Sequence, residues 1–79
     1  MTTLTKTQKF LLNEVDSVPD KVVSFNLLRQ SARHLTVVGF RRAVSKMEDA
    51  HLLGRTEDGC LTLTFRGMCA MRENGMEVQ

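Results

Sequence analysis

Cysteine is scarce in this 79-residue chain, with Cys60 and Cys69 the only two. Two thiols cannot build the disulfide framework of a small secreted domain, and in a reducing compartment both stay free as small packing residues. With His34 and His51 they would offer four zinc ligands. No pair, however, has the C-x₂₋₄-C or H-x₃₋₅-H spacing of a zinc site, so no metal is expected, and nothing calls for a cofactor. Long apolar runs are missing too: nothing approaches the roughly 20 residues needed to span a bilayer. The N-terminal MTTLTKTQKFLLNEV has neither a continuous apolar stretch nor a small-residue cleavage site, so the chain is expected in the cytoplasm and away from membranes. A phosphate-cradling glycine loop, an H-E-x-x-H pair and a nucleophile elbow are equally absent. Neither histidine has a partner nearby in sequence, so no enzyme is expected. No repeat, linker or low-complexity segment divides residues 1–79, which read as one domain with an ordered core over about 5–72 and a flexible tail over 73–79.

What is present is an ordinary globular composition, 42% apolar and 25% charged, with a net charge of only +2. The distribution of that charge says more than its sum. Residues 1–20 carry a net −1 and residues 56–79 a net −2, whereas residues 21–55 hold seven basic side chains against Glu48 and Asp49. An anionic polymer would be gripped there.

The pattern predicts elements in order. Thr5-x-x-Gln8 is a capping box opening a helix from Lys6 to Val18, with Leu11, Leu12, Val15 and Val18 as its stripe and Pro19-Asp20 as its end. Lys21-Val22-Val23 reads as a short strand. Ser24 caps a second helix over Phe25 to His34, burying Phe25, Leu28, Ala32 and Leu35, and only about two residues separate it from the next cap, Thr36. Two helices joined so tightly must cross steeply. The third helix buries Val37, Phe40, Ala43, Val44, Met47 and Ala50. Its opposite face shows Val38, Arg42, Ser45, Lys46 and Asp49, with Arg41 at the margin. Gly39 within it marks either a close approach of another backbone or a tolerated glycine. His51 stands where a left-handed residue ends the helix. Leu52–Thr56 and Cys60–Thr64 then form a hairpin turning at Asp58-Gly59, the preferred dipeptide of a two-residue primed turn. A short helix over Phe65 to about Arg72 closes the chain.

This order, with the block Met47-Glu48-Asp49-Ala50-His51-Leu52-Leu53-Gly54-Arg55 and the segment Leu63-Thr64-Phe65-Arg66-Gly67, resembles a winged helix-turn-helix domain. It is most similar to the DNA-binding core of MarR- and PadR-type repressors. The likeness covers about Thr5 to Met71. It departs in carrying His51 where the family has glycine, in a short wing, and in lacking long flanking dimerisation helices. The resemblance implies an α+β fold of three helices, a short strand, a two-stranded wing and a short C-terminal helix. It also implies binding of double-stranded DNA by a small transcriptional regulator, a repressor. Val38, Arg42, Ser45 and Lys46 would read bases in the major groove, and Arg29, Arg33, His34, Thr36, Arg41 and Arg55 would contact the backbone. A homodimer is expected, paired through Phe65, Met68, Cys69 and Met71, because a lone small reader contacts few base pairs. The competing reading is a winged helix that binds protein, as an adaptor, an antitoxin-like partner or an inhibitor, favoured by the acidic tip Glu57-Asp58.

Overall fold

The computed structural model describes residues 3–79. Met1 and Thr2, the start of the domain expected over 1–79, lie outside the described residues. Four helices and a three-stranded antiparallel sheet make an α+β domain: α1 (Lys6–Asp16), β1 (Val22–Val23), α2 (Phe25–Ser31), α3 (Val37–Asp49), β2 (Leu53–Arg55), β3 (Leu61–Leu63) and α4 (Phe65–Glu73). The sheet runs β1-β3-β2, so the last strand lies in the middle.

The capping box of α1 forms as expected: Gln8 N–H donates to the Thr5 hydroxyl at 3.1 Å and Thr5 N–H to the Gln8 side chain at 2.9 Å. Leu11, Leu12 and Val15 are wholly buried, but the helix stops at Asp16 rather than Val18. The Ser17 hydroxyl turns back to the Glu14 carbonyl at 2.8 Å, competing with a further helical turn. Among the described residues Asp16 is the one buried charged residue, and its carboxylate pairs with the Lys21 ammonium and accepts the Gln79 N–H at 2.9 Å. Lys21 has a left-handed backbone (φ 55), held from both sides by its own N–H on the Val18 carbonyl and by its carbonyl accepting the Leu63 N–H.

The second helix ends at Ser31, three residues before the expected His34. Its last turn is diverted: Ala32 N–H reaches both the Leu28 and Arg29 carbonyls, and the Arg29 guanidinium donates to the Ala32 carbonyl at 2.8 Å. Residues 32–35 therefore separate α2 from the Thr36 cap, four residues where about two were expected.

In α3 the Thr36 hydroxyl accepts Gly39 N–H at 3.0 Å, and Phe40, Val44 and Met47 are buried with Ala43 partly so. Val37 and Ala50, expected inside, are exposed. Val37 is the first residue of the helix, and Ala50 is its C-cap, with ψ 1 rather than a helical value. His51 does take the left-handed conformation (φ 61), and Leu52 N–H to the Met47 carbonyl (2.8 Å) with His51 N–H to that of Glu48 (3.0 Å) complete a Schellman ending.

The hairpin differs from the expected primed turn. Thr56 N–H bonds the Cys60 carbonyl at 2.8 Å, Gly59 N–H bonds the Thr56 carbonyl at 2.9 Å, and Gly59 has φ 84. The loop is thus three residues, Glu57-Asp58-Gly59, the type in which a left-handed glycine follows an ordinary turn. Leu53 pairs with Leu63, and Arg55 with Leu61. The strands carry Leu53, Leu61 and Leu63 inward.

Thr64 caps α4, accepting Gly67 N–H at 2.9 Å while its proton is shared between the His51 and Leu52 carbonyls. Residues 73–79, expected as a flexible tail, return along the core: Asn74 accepts Leu4 N–H, Gly75 (φ 74) ends α4, and Met76 and Val78 pack against buried residues.

Candidate nucleic-acid interface

The outward face of α3 is built by simple phase. Phe40, Val44 and Met47 point into the core, which forces Val38, Arg41, Arg42, Ser45, Lys46 and Asp49 into solvent. Among the described residues no hydrogen bond or ion pair engages the side chain of Arg41, Arg42 or Lys46, so their full side-chain donor capacity faces outward. Val38 is 60% exposed and Val37 51%, leaving two adjacent valines in water at the start of a cationic helix. Gly39 has a local explanation: a side chain there would crowd the Thr36 hydroxyl at 3.0 Å. Its smallness therefore serves the cap of its own helix.

A groove lies on each side of α3. One, about 350 Å³, is lined by Phe25, Arg41, Val44, Ser45, Glu48 and Arg55. The other, about 310 Å³, is lined by Thr5, Thr7, Gln8, Gly39, Arg42, Ala43 and Lys46. The helix stands between them as a ridge, and a helix with its side chains is about 10–12 Å across, close to the width of the major groove, about 12 Å.

The backbone candidates divide. Thr36 keeps its hydroxyl proton available, since the oxygen acts as acceptor in the cap. Arg29 is engaged within the protein, on the Ala32 carbonyl and 5.6 Å from the centre of the Phe40 ring, so it braces the turn rather than presenting a free cation. Arg33 lines a different groove, between α1 and α2, opposite Glu14. His34 stands edge-on to Phe10, ring centres 4.7 Å apart, with Lys6 and Thr7 beside them. Arg55 donates Nη2–H to Glu48 at 2.6 Å and Nε–H at 3.3 Å, with its guanidinium 5.7 Å from the Phe25 ring centre. That hydrogen bond to Glu48 raises the Arg55 pKa above its ordinary value; slight burial opposes the shift, and the Glu48 charge assists it.

Sequence reasoning missed the first turn of α1. Residues 1–20 sum to a negative charge, yet the acids Glu14, Asp16 and Asp20 cluster at the far end, while Lys6, Thr7 and Gln8 lie beside α3 or the α2–α3 turn. Charge position along the helix, rather than its sum, was the available signal.

The expected pairing patch needs correction. Phe65 is 72% exposed and Met68 and Cys69 are half-buried, but Met71 is wholly inside the core and offers no surface. Among the described residues no three His, Cys, Asp or Glu side chains are grouped to hold a metal ion, and no helix is long and apolar enough to cross a membrane. No protein-family model, curated protein or solved structure matches the chain.

Proposed function

We propose that this protein is a winged helix-turn-helix regulator that binds double-stranded DNA, with α3 as recognition helix in the major groove and the β2–β3 hairpin as a wing against the backbone. The observation that carries the reading is the α3 face: Arg41, Arg42, Lys46, Ser45 and Val38 together, exposed and uncommitted, on a ridge with a groove at either side. Arg42 donates to guanine O6 and N7, Val38 meets a thymine methyl, Ser45 takes a base edge or phosphate, and Lys46 and Arg41 neutralise phosphate. Thr36, Lys6 and Thr7 flank that contact. Repression follows if the bound site overlaps a promoter, and two copies on a palindrome supply the affinity that one small reader lacks.

Gel shifts of the full chain on mixed-sequence duplex at two salt concentrations test this. Binding that weakens steeply with salt and is lost in the Arg41→Ala/Arg42→Ala double variant is expected; no binding at low salt, or binding indifferent to the double substitution, refutes it.

One observation favours a second reading, a protein-binding module. Phe65 and Leu27 are 72% and 57% exposed, and the hairpin tip carries Glu57 and Asp58. A partner retained at high salt and lost with Phe65→Ser would select that reading, and a native mass measurement reports pairing of the chain with itself.

A further inference from the structure

The ion pair at the base of the hairpin has the shape of a control on binding. Glu48, in the last turn of α3, receives two N–H groups of Arg55, at the end of β2, and the Phe25 ring lies against the guanidinium. A carboxylate gripping the fork through two N–H groups occupies the donors that a phosphate would use. Both residues line the same groove as Arg41 and Ser45, immediately beside the exposed α3 face, so a phosphate arriving at the hairpin meets the pair and not a free Arg55. Arg41, Arg42 and Lys46 have no such partner. Neighbouring Asp49 is acidic and exposed too, but no arginine is tied to it.

From this we infer that Glu48 tempers binding: it withholds Arg55 from the phosphate backbone until a well-seated duplex displaces its carboxylate. The inference rests on the DNA-binding reading. Loose, sequence-independent binding counts the cations free to neutralise phosphate. A guanidinium cancelled by Glu48 drops out of that count. On a matching site, contacts made by Val38, Arg42 and Ser45 hold the backbone against the hairpin long enough for phosphate to replace Glu48. The carboxylate thus lowers affinity everywhere: on a mixed duplex by the phosphate contact that Arg55 forgoes, and on a matching site by the cost of parting the pair, which is at least as large.

The test compares the full chain with Glu48→Gln, Glu48→Gln/Arg55→Ala and Asp49→Asn. Each is titrated with mixed-sequence duplex, and with the duplex best retained by the parent from random sequence, between about 50 and 200 mM salt. Glu48→Gln should bind the mixed duplex about three- to tenfold tighter at low salt, with a log–log salt slope steeper by about 0.9, one more neutralised phosphate. The selected duplex, on which the parent must part the pair, should gain at least as much, with no change of slope. The gain should vanish in the double variant and be smaller in Asp49→Asn, which deletes the same charge without releasing a guanidinium. An unchanged slope on the mixed duplex in Glu48→Gln, a selected duplex that gains less than the mixed one, a gain surviving without Arg55, or an equal gain from Asp49→Asn overturns the inference. If the glutamine variant does not fold, Glu48→Asp, whose shorter side chain draws back from the fork, must tighten and steepen binding of the mixed duplex in the same direction or the inference fails. A parent without DNA binding at low salt removes the proposed function and this inference together; a parent that binds while Glu48→Gln behaves identically removes only this one.

Discussion

Arg42 and Lys46 sit four residues apart on one helix, both solvated, both without a protein partner, yet they should behave differently when removed. Arg42→Ala should cost about 1–3 kcal/mol on the preferred duplex and relax preference at one base position, whereas Lys46→Ala should weaken all sequences alike and reduce the salt slope by about one. Competition titrations against single-base variants distinguish the two. His51 bears on folding instead. Its left-handed backbone ends α3 without the glycine that such endings favour. His51→Gly should therefore raise stability by about 0.5 kcal/mol, the relief of strain exceeding the added freedom of the unfolded chain; a higher denaturant midpoint at unchanged slope is the readout. That conformation was readable from sequence because a helix pattern stops there and no glycine follows. The burial of Asp16 was not, because an acid at the edge of an apolar stripe looks solvated until the chain end is seen to lie over it.

The elements were legible in kind and order, and less so in length. Each cap that the sequence marks with Thr or Ser is a cap in the structure, because a hydroxyl bonding an orphan N–H is a local event. The endings depended on distant or unusual partners. The second helix looked able to run to His34 until the Arg29 side chain took the Ala32 carbonyl, and the hairpin loop gained Glu57 because Thr56 and Cys60 pair across it. The α4–β2 contact was invisible from periodicity. A side chain at Gly67 would stand 2.3 Å from the Leu52 carbonyl oxygen, so α4 sits on the start of β2 with no room between. Gly67→Ala should destabilise by about 1–3 kcal/mol despite the better helix propensity of alanine, and thermal melts of the two proteins check it. The α3 face was legible because it follows from helical phase alone; the α1 contribution to the same surface was not, because only the fold brings Lys6, Thr7 and Gln8 beside α3 and its preceding turn.

At the scale of the molecule, the first and last segments of the described chain are tied to each other, Leu4 to Asn74 and Gln79 to Asp16. Burial raises the Asp16 pKa, but the Lys21 hydrogen bond, the Gln79 N–H and the Lys21 charge outweigh it, leaving the net direction downward from 3.8. A carboxyl with a depressed folded value stabilises the fold above its unfolded value and loses that contribution as pH falls through the folded one. The parent should therefore lose stability on acidification below about pH 4, and Asp16→Asn should be less stable at pH 7 by about 2 kcal/mol yet show a flatter decline in acid. Melting temperatures from pH 7 down to pH 2.5 measure both, and parallel curves for the two proteins would remove Asp16 from the account.

The rings of Phe25 and Phe40 meet edge to face, centres 5.1 Å apart, with Arg55 over the first and Arg29 over the second. The α2–α3 turn and the hairpin, which on the DNA-binding proposal would touch separate stretches of a duplex, are therefore coupled through a solid aromatic bridge rather than through chain. Trimming Phe40 to leucine would transmit slack to the hairpin root, and a protein altered only in its interior would hold the same nucleotides at a different angle.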